Sequence, residues 1–293
     1  MKNASGSLLL LLTALIWGTA FVAQRFGMNF VGPLTFQSVR TLLGFAALLP
    51  VALYRKKRAG AAFRMPSLRA SLICGLTLTA ATCLQQIALT TVSAGKAGFI
   101  TALYVVLVPV FGIPLGRRTG RNTWIGVALA VAGLYLLSSI GSLSVSTGEL
   151  LLIGCAALFS VQILAVDHFA PRCDCVMLSC MQFLVAGLAP LPLALLLEHP
   201  QWSQVWDARL SIFYTGVFSC SIAYTLQILG QRRTPPALAS LIMSLESVFS
   251  VIFGALLLHE TMTGKELLGC ALMLSAVLLS QLRGGEALPA DNT

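Results

Sequence analysis

From Asn3 to Gln24 the chain carries no charged residue. Similar apolar runs follow down its length, broken by short polar stretches. A helix that crosses a bilayer needs roughly 20 mostly apolar residues. The runs therefore predict ten spanning helices: 7–27, 33–54, 68–90, 94–115, 122–140, 147–168, 175–197, 208–230, 236–258 and 264–282. Little chain remains for loops. The expected fold class is an all-α integral membrane protein.

Composition sharpens this. Of 293 residues, 57% are hydrophobic and only 10% charged, and the mean hydropathy is +0.87. Soluble domains carry about 25% charged residues. So few charges cannot cover a water-facing surface, which argues against a soluble enzyme, a nucleic-acid-binding module or a disordered scaffold. The net charge of +9 does not signal an anionic partner, because the basic residues sit in short clusters between apolar runs. With the N-terminus inside, fourteen Lys and Arg fall on the cytoplasmic side and four on the outer side (Arg25, Lys96, Arg209 and Lys265), with Arg40 inside the membrane. Cytoplasmic loops carry the excess of positive charge, so both termini are expected in the cytoplasm.

The eight cysteines show no spacing of a disulfide framework or zinc ribbon. Cys173-Asp174-Cys175 near His168 invites a metal reading, but a short polar loop is the simpler one, and neither metal nor cofactor is expected. The first run also resembles a signal peptide, with Lys2, a leucine run and small residues near Ala20 and Ala23. Cleavage is not expected, because the sixth run repeats the first.

That repeat spans the chain. At a shift of 142, Trp17-Gly18 meets Phe159-Ser160, Gly98 meets Ser240, Tyr104 meets Glu246 and Gly112 meets Gly254. At 143, Gly126 meets Gly269. Arg69–Gly75 meets Arg209–Gly216 with one residue of slippage. The halves divide at 1–142 and 143–293 with five helices each. Five is odd, so the second half enters the membrane the other way up. Inverted repeats are a transporter architecture, with the substrate site near the midplane between the halves.

The stretch Gln86–Pro109, QIALTTVSAGKAGFITALYVVLVP, resembles the signature of EamA-type transporters in the drug/metabolite transporter superfamily. Gln231–Phe249, QRRTPPALASLIMSLESVF, is similar to the signature of the second half, and Leu256–Gly264, Trp17-Gly18 and Arg40 fit too. One departure is Ser247, where the family often has proline, which puts a kink beside Glu246 in question. The resemblance implies ten helices, alternating access and export of small metabolites from the cell through its inner (plasma) membrane.

Ionisable groups inside a span are costly and functional by default. Glu246 is the one acidic residue near the middle of a run. Removal from water disfavours a carboxylate's charged form, so Glu246 is a candidate for proton coupling or for binding a substrate cation. Its structural alternative is a helix-end bond or a pair with Arg40. Arg40 is a candidate anchor for a substrate carboxylate, or it snorkels to the outer interface or pairs with an acid. Lys96 offers a weaker version of the same choice. Gln86 and Gln227 are placed at matching positions of a shared cavity. Trp17, Phe21, Phe99, Tyr104, Phe159 and Tyr224 are candidate cavity walls, with ordinary packing as the alternative. Gly126-x-x-x-Ala130 and Ala271-x-x-x-Ser275 are small-residue pairs fit for a close helix contact or a dimer face; the oligomeric state is left open.

The expected function is secondary active export of amino acids or related compounds, with protons as a candidate coupling ion. The alternative is export of cationic drugs held by Glu246. No Walker, His-Glu-x-x-His or Gly-x-Ser-x-Gly sequence is present, so an enzyme is not expected.

Overall fold

The computed structural model describes residues 2–117, 119–137, 146–258 and 264–281. Arg118, His259, Glu260 and Arg283 lie outside them, as do the predicted ends at 140 and 282. Every regular element among the described residues is helical. Eight helical stretches are long and apolar enough to cross a membrane, and Leu267–Ser280 is a shorter apolar helix. Leucines such as Leu68, Leu150, Leu196 and Leu278 stand exposed on outward faces, as suits a surface that meets lipid.

In chain order, α1 is Lys2–Gly27, α2 Pro33–Ala59 and α3 Leu68–Ala88. Then α4 (Ala94–Thr101) and α5 (Tyr104–Gly112) form one broken rod, and α6 is Arg121–Leu137. Next come α7 (Thr147–Phe169), α8 (Cys175–Leu188), α9 (Leu191–Leu197) and the short α10 (Trp202–Asp207). Another rod joins α11 (Arg209–Phe213), a π-helix (Tyr214–Tyr224) and α12 (Thr225–Gln231). A second broken rod holds α13 (Pro236–Met243) and α14 (Glu246–Leu258), and α15 is Gly264–Gln281.

Local chemistry sets the ends. Ser67 caps α3 by accepting from the Ala70 amide (3.1 Å), satisfying an amide that the helix itself leaves free. Ser146 and Glu149 form a reciprocal capping box on α7. Pro33 and Pro236 occupy first-turn positions, where the missing N–H costs nothing. The start of α2 is capped from a distance: Glu198 accepts from the Leu34 and Thr35 amides at 2.9 and 2.8 Å. The second helix runs to Ala59 rather than 54, because Arg55–Arg58 continue it as a polar turn beyond the apolar run.

The two broken rods break at equivalent places. Thr101 ends α4 and Tyr104 begins α5; Met243 ends α13 and Glu246 begins α14, each 142 residues on. Both breaks are tight turns of three-residue hydrogen bonds: Leu103 N donates to Ile100 O and Leu245 N to Ile242 O, each at 3.2 Å. The second rod is thus interrupted beside Glu246 although Ser247 replaces the proline.

Packing follows the same correspondence. The first helix of each half lies against the other half: α1 on α12, α13 and α14, and α7 on α3, α4 and α5. A Cβ at Gly75 would lie 2.5 Å from Val185 Cβ, and one at Gly216 would lie 3.2 Å from Leu43 Cβ. Leu43 and Val185 are themselves equivalent. α6 and α15 pack closely because glycines let their backbones meet: a Cβ at Gly133 would lie 2.8 Å from Gly269 O, and one at Gly126 3.0 Å from Ala276 O. This corrects the small-residue pairs. Gly126 is in the seam, but Ala271 and Ser275 are exposed on the outward face of α15.

Candidate functional site

Where the two breaks meet, Tyr104 Oη donates to Glu246 Oε1 at 3.0 Å. Both groups are buried, at 2% and 3% exposure. The interrupted turns bring the first residues of α5 and α14 face to face at the centre of the molecule. There they line a cavity of about 30 Å³, room for roughly two water molecules.

Eight of the ten residues expected from sequence line this cavity: Glu246, Arg40, Gln227, Trp17, Phe21, Tyr104, Phe159 and Tyr224. Phe99 and Gln86 do not. The Gln86 amide turns to Met28 Sδ (3.3 Å), and its neighbour Gln85 takes the cavity position. The reason is register: Gln85, not Gln86, lies 142 residues before Gln227. Gln24, Thr101, Ile163 and Ser219 also line the space. Applied strictly, the repeat finds Gln85 from Gln227 and Ile163 from Phe21. Symmetry is broken where the charges are. Tyr104 faces Glu246, and the counterpart of Arg40 is Gln182.

Arg40 is 3% exposed, so it does not snorkel. Nor does it pair with an acid among the described residues. Its Nε and Nη2 donate to Gln37 Oε1 at 2.9 and 2.6 Å, and Nη1 donates to Gln24 Oε1 at 2.8 Å. The guanidinium also lies over the Phe36 ring, 5.8 Å from its centre. A guanidinium has five N–H groups, so these bonds leave two. Neutral amides thus hold the cation in place without cancelling its charge. Glu246 likewise has a neutral partner. The alternative of an Arg40–Glu246 pair is not what the structure shows: the two line one cavity, each held by uncharged groups.

Other charges are spent on structure. Lys96 pairs with Glu149 and Arg117 with Asp167, tying the ends of the α4–α5 rod to the ends of α7. Asp174 caps α8 through the Val176 and Met177 amides (both 3.0 Å) and pairs with Arg55 at 2.7 Å. Burial pushes the Cys173 thiol up to about 11, so it stays protonated, and the His168 ring packs edge-on against Phe169. The polar-loop reading of this turn accounts for its contacts.

A second, larger cavity of about 960 Å³ opens beside Arg69, Arg117, Asp167, His168 and Pro236. It reaches Leu164 on α7, next to Ile163 of the central cavity. One helix thus lines both spaces in succession.

Long apolar helices around a buried centre of ionisable groups mark a polytopic membrane protein. The EamA-like transporter family model matches residues 4–139 and again 146–282. The chain belongs to the EamA-like transporter family. It is 28% identical over 284 residues to an uncharacterized transporter of Archaeoglobus fulgidus, covering 97% of this chain and 88% of that protein. It is 26% identical over 276 residues to the uncharacterized inner membrane transporter YedA of Escherichia coli K12, covering 92% and 88%. A crystal structure 20% identical in sequence superposes with a TM-score of 0.81 over 96% of this chain and 97% of the other, a likeness of fold.

Proposed function

We propose that this chain is a secondary active transporter that exports amino acids or closely related small metabolites across the cytoplasmic membrane by alternating access. The observation that carries the reading is the pair of buried ionisable groups, Arg40 and Glu246, on one cavity with only neutral partners. Unpaired buried charge is expensive, and a ligand bearing one carboxylate and one ammonium relieves both. The cavity holds little more than water in this conformation, and the larger space on one side suits a state open in one direction. Counting α6 and α15 as spans gives ten. Two five-helix halves in inverted orientation agree with the family model matching twice and with the reciprocal packing of α1 and α7. Such halves can exchange conformations at little cost.

The test is counterflow in proteoliposomes loaded with unlabelled amino acids and offered the labelled form. Accumulation of one of them, absent from empty vesicles, supports the reading. Folded protein that exchanges none of them overturns it. A second reading, export of cationic drugs, rests on Glu246 alone. It is favoured if Arg40→Gln leaves exchange of a labelled lipophilic cation intact while Glu246→Gln abolishes it.

A further inference from the structure

Two polar atoms on the cavity wall have no hydrogen-bond partner among the described residues: Gln227 Oε1 and Trp17 Nε1. One is an acceptor and the other a donor, and both atoms are shielded from solvent. Gln227 ends a ladder of buried amides. Its Nε2 donates to Gln162 Oε1 at 3.2 Å, and Gln162 Nε2 donates to Gln182 Oε1 at 3.4 Å. Each amide therefore points its N–H outward along the ladder, which leaves the carbonyl of Gln227, a residue of the cavity lining, without a donor. The Trp17 ring packs against Tyr224 at a tilt of 57°, with ring centres 4.7 Å apart. Tyr224 lies three residues before Gln227, one helical turn away on the same face. Trp17 and Gln227, which carry the free donor and the free acceptor, are thus joined through Tyr224 along the cavity lining.

We propose that Trp17 and Gln227 form a neutral polar subsite for the substrate's side chain, and that it takes a hydroxyl or carboxamide group. This rests on the amino-acid reading of Arg40 and Glu246. The choice of group follows from the two atoms together. An ammonium satisfies the Gln227 carbonyl but opposes the indole N–H, and a carboxylate does the reverse. An apolar side chain leaves both atoms without a partner, which binding sites built around such groups penalise. A neutral group that both donates and accepts satisfies both.

The test is counterflow with isosteric pairs: L-threonine against L-valine and L-asparagine against L-leucine. The wild type is expected to exchange at least one polar member roughly tenfold or more faster than its apolar twin, a ratio within reach of a single buried hydrogen-bonding site. Gln227→Met and, separately, Trp17→Phe should each pull that ratio towards one. Two variants on different helices guard against one that fails to fold. Valine and leucine exchanged as fast as their twins would overturn the subsite and leave the amino-acid reading standing. A ratio that both variants, folded, leave unchanged would also overturn it. Folded protein that exchanges other amino acids but none of the four would overturn the subsite alone, and folded protein that exchanges no amino acid would remove the amino-acid reading with it.

Discussion

The bond from Tyr104 to Glu246 joins equivalent residues of the two halves, so breaking it from either side tests how the centre is held. Tyr104→Phe removes the only donor given to Glu246 among the described residues, at a site 2–3% exposed. A hydrogen bond to a charged group contributes about 1.5–3 kcal/mol, and one between neutral groups about 0.5–1.5 kcal/mol. Glu246→Gln keeps the volume and an oxygen that accepts at the same 3.0 Å, so it should cost less than about 1 kcal/mol of stability. If the carboxylate is ionised at the pH of the assay, Tyr104→Phe should cost about 1.5–3 kcal/mol in the wild type and about 0.5–1.5 kcal/mol in the Glu246→Gln background. The difference, about 1 kcal/mol, is the charge contribution to the bond. Unfolding midpoints of the four proteins in detergent give the cycle, and counterflow on the same preparations gives function. Glu246→Gln is expected to remain folded and to lose proton-driven transport. Loss of folded Glu246→Gln protein would refute the assignment of Glu246 to function and make it a structural tie. A cost below about 0.5 kcal/mol for Tyr104→Phe in the wild type would refute the bond as a link between the halves.

Four further outcomes are expected. Gln85→Leu should depress counterflow at least severalfold while Gln86→Leu leaves it near wild type, because only Gln85 lines the cavity; equal effects would put the cavity elsewhere. Gly18→Val should destabilise by about 2 kcal/mol or more, since a Cβ there already lies 2.5 Å from Phe249 Cβ and 2.9 Å from Glu246 O and overpacking costs about 1–3 kcal/mol. Gly95→Ala, with open space around it, should be neutral or slightly stabilising in the same detergent titration. Asp174→Ala should cost about 0.5–2 kcal/mol through its lost cap, with little added from the Arg55 pair, which is half exposed; a strong salt dependence of that loss would instead assign it to the pair.

The apolar runs located the rods to within a few residues because bilayer thickness imposes its length on any helix that crosses it. The breaks within the rods left no such trace. Ala102-Leu103 and Ser244-Leu245 contain neither glycine nor proline, so tertiary contacts around the cavity set those turns. Most of the cavity wall was readable because polar groups in an apolar run must face inward. The error at Gln86 came from two adjacent glutamines whose composition is identical and whose register alone distinguishes them. For Arg40 it is the snorkelling alternative that fails, for a related reason. Position along a span says how near water lies, but Gln24 and Gln37, which hold the guanidinium, come together only in the folded bundle.

The π-helix at Tyr214–Tyr224 bears on how such a molecule tolerates a change in chain length. The spacing between matching residues grows along this rod, from 140 at Arg69 and Arg209, to 141 at Gly75 and Gly216, to 142 at Gln85 and Gln227. An extra residue in an α-helix turns everything after it by about 100°, which would swing Gln227 out of the cavity and its apolar neighbours off the lipid. A π turn holds more residues per turn and takes up the insertion where it occurs. The two halves have thus diverged in length without losing the alignment of the residues on either side. Loops are the usual refuge for insertions and deletions; in this chain the middle of one membrane helix serves as another.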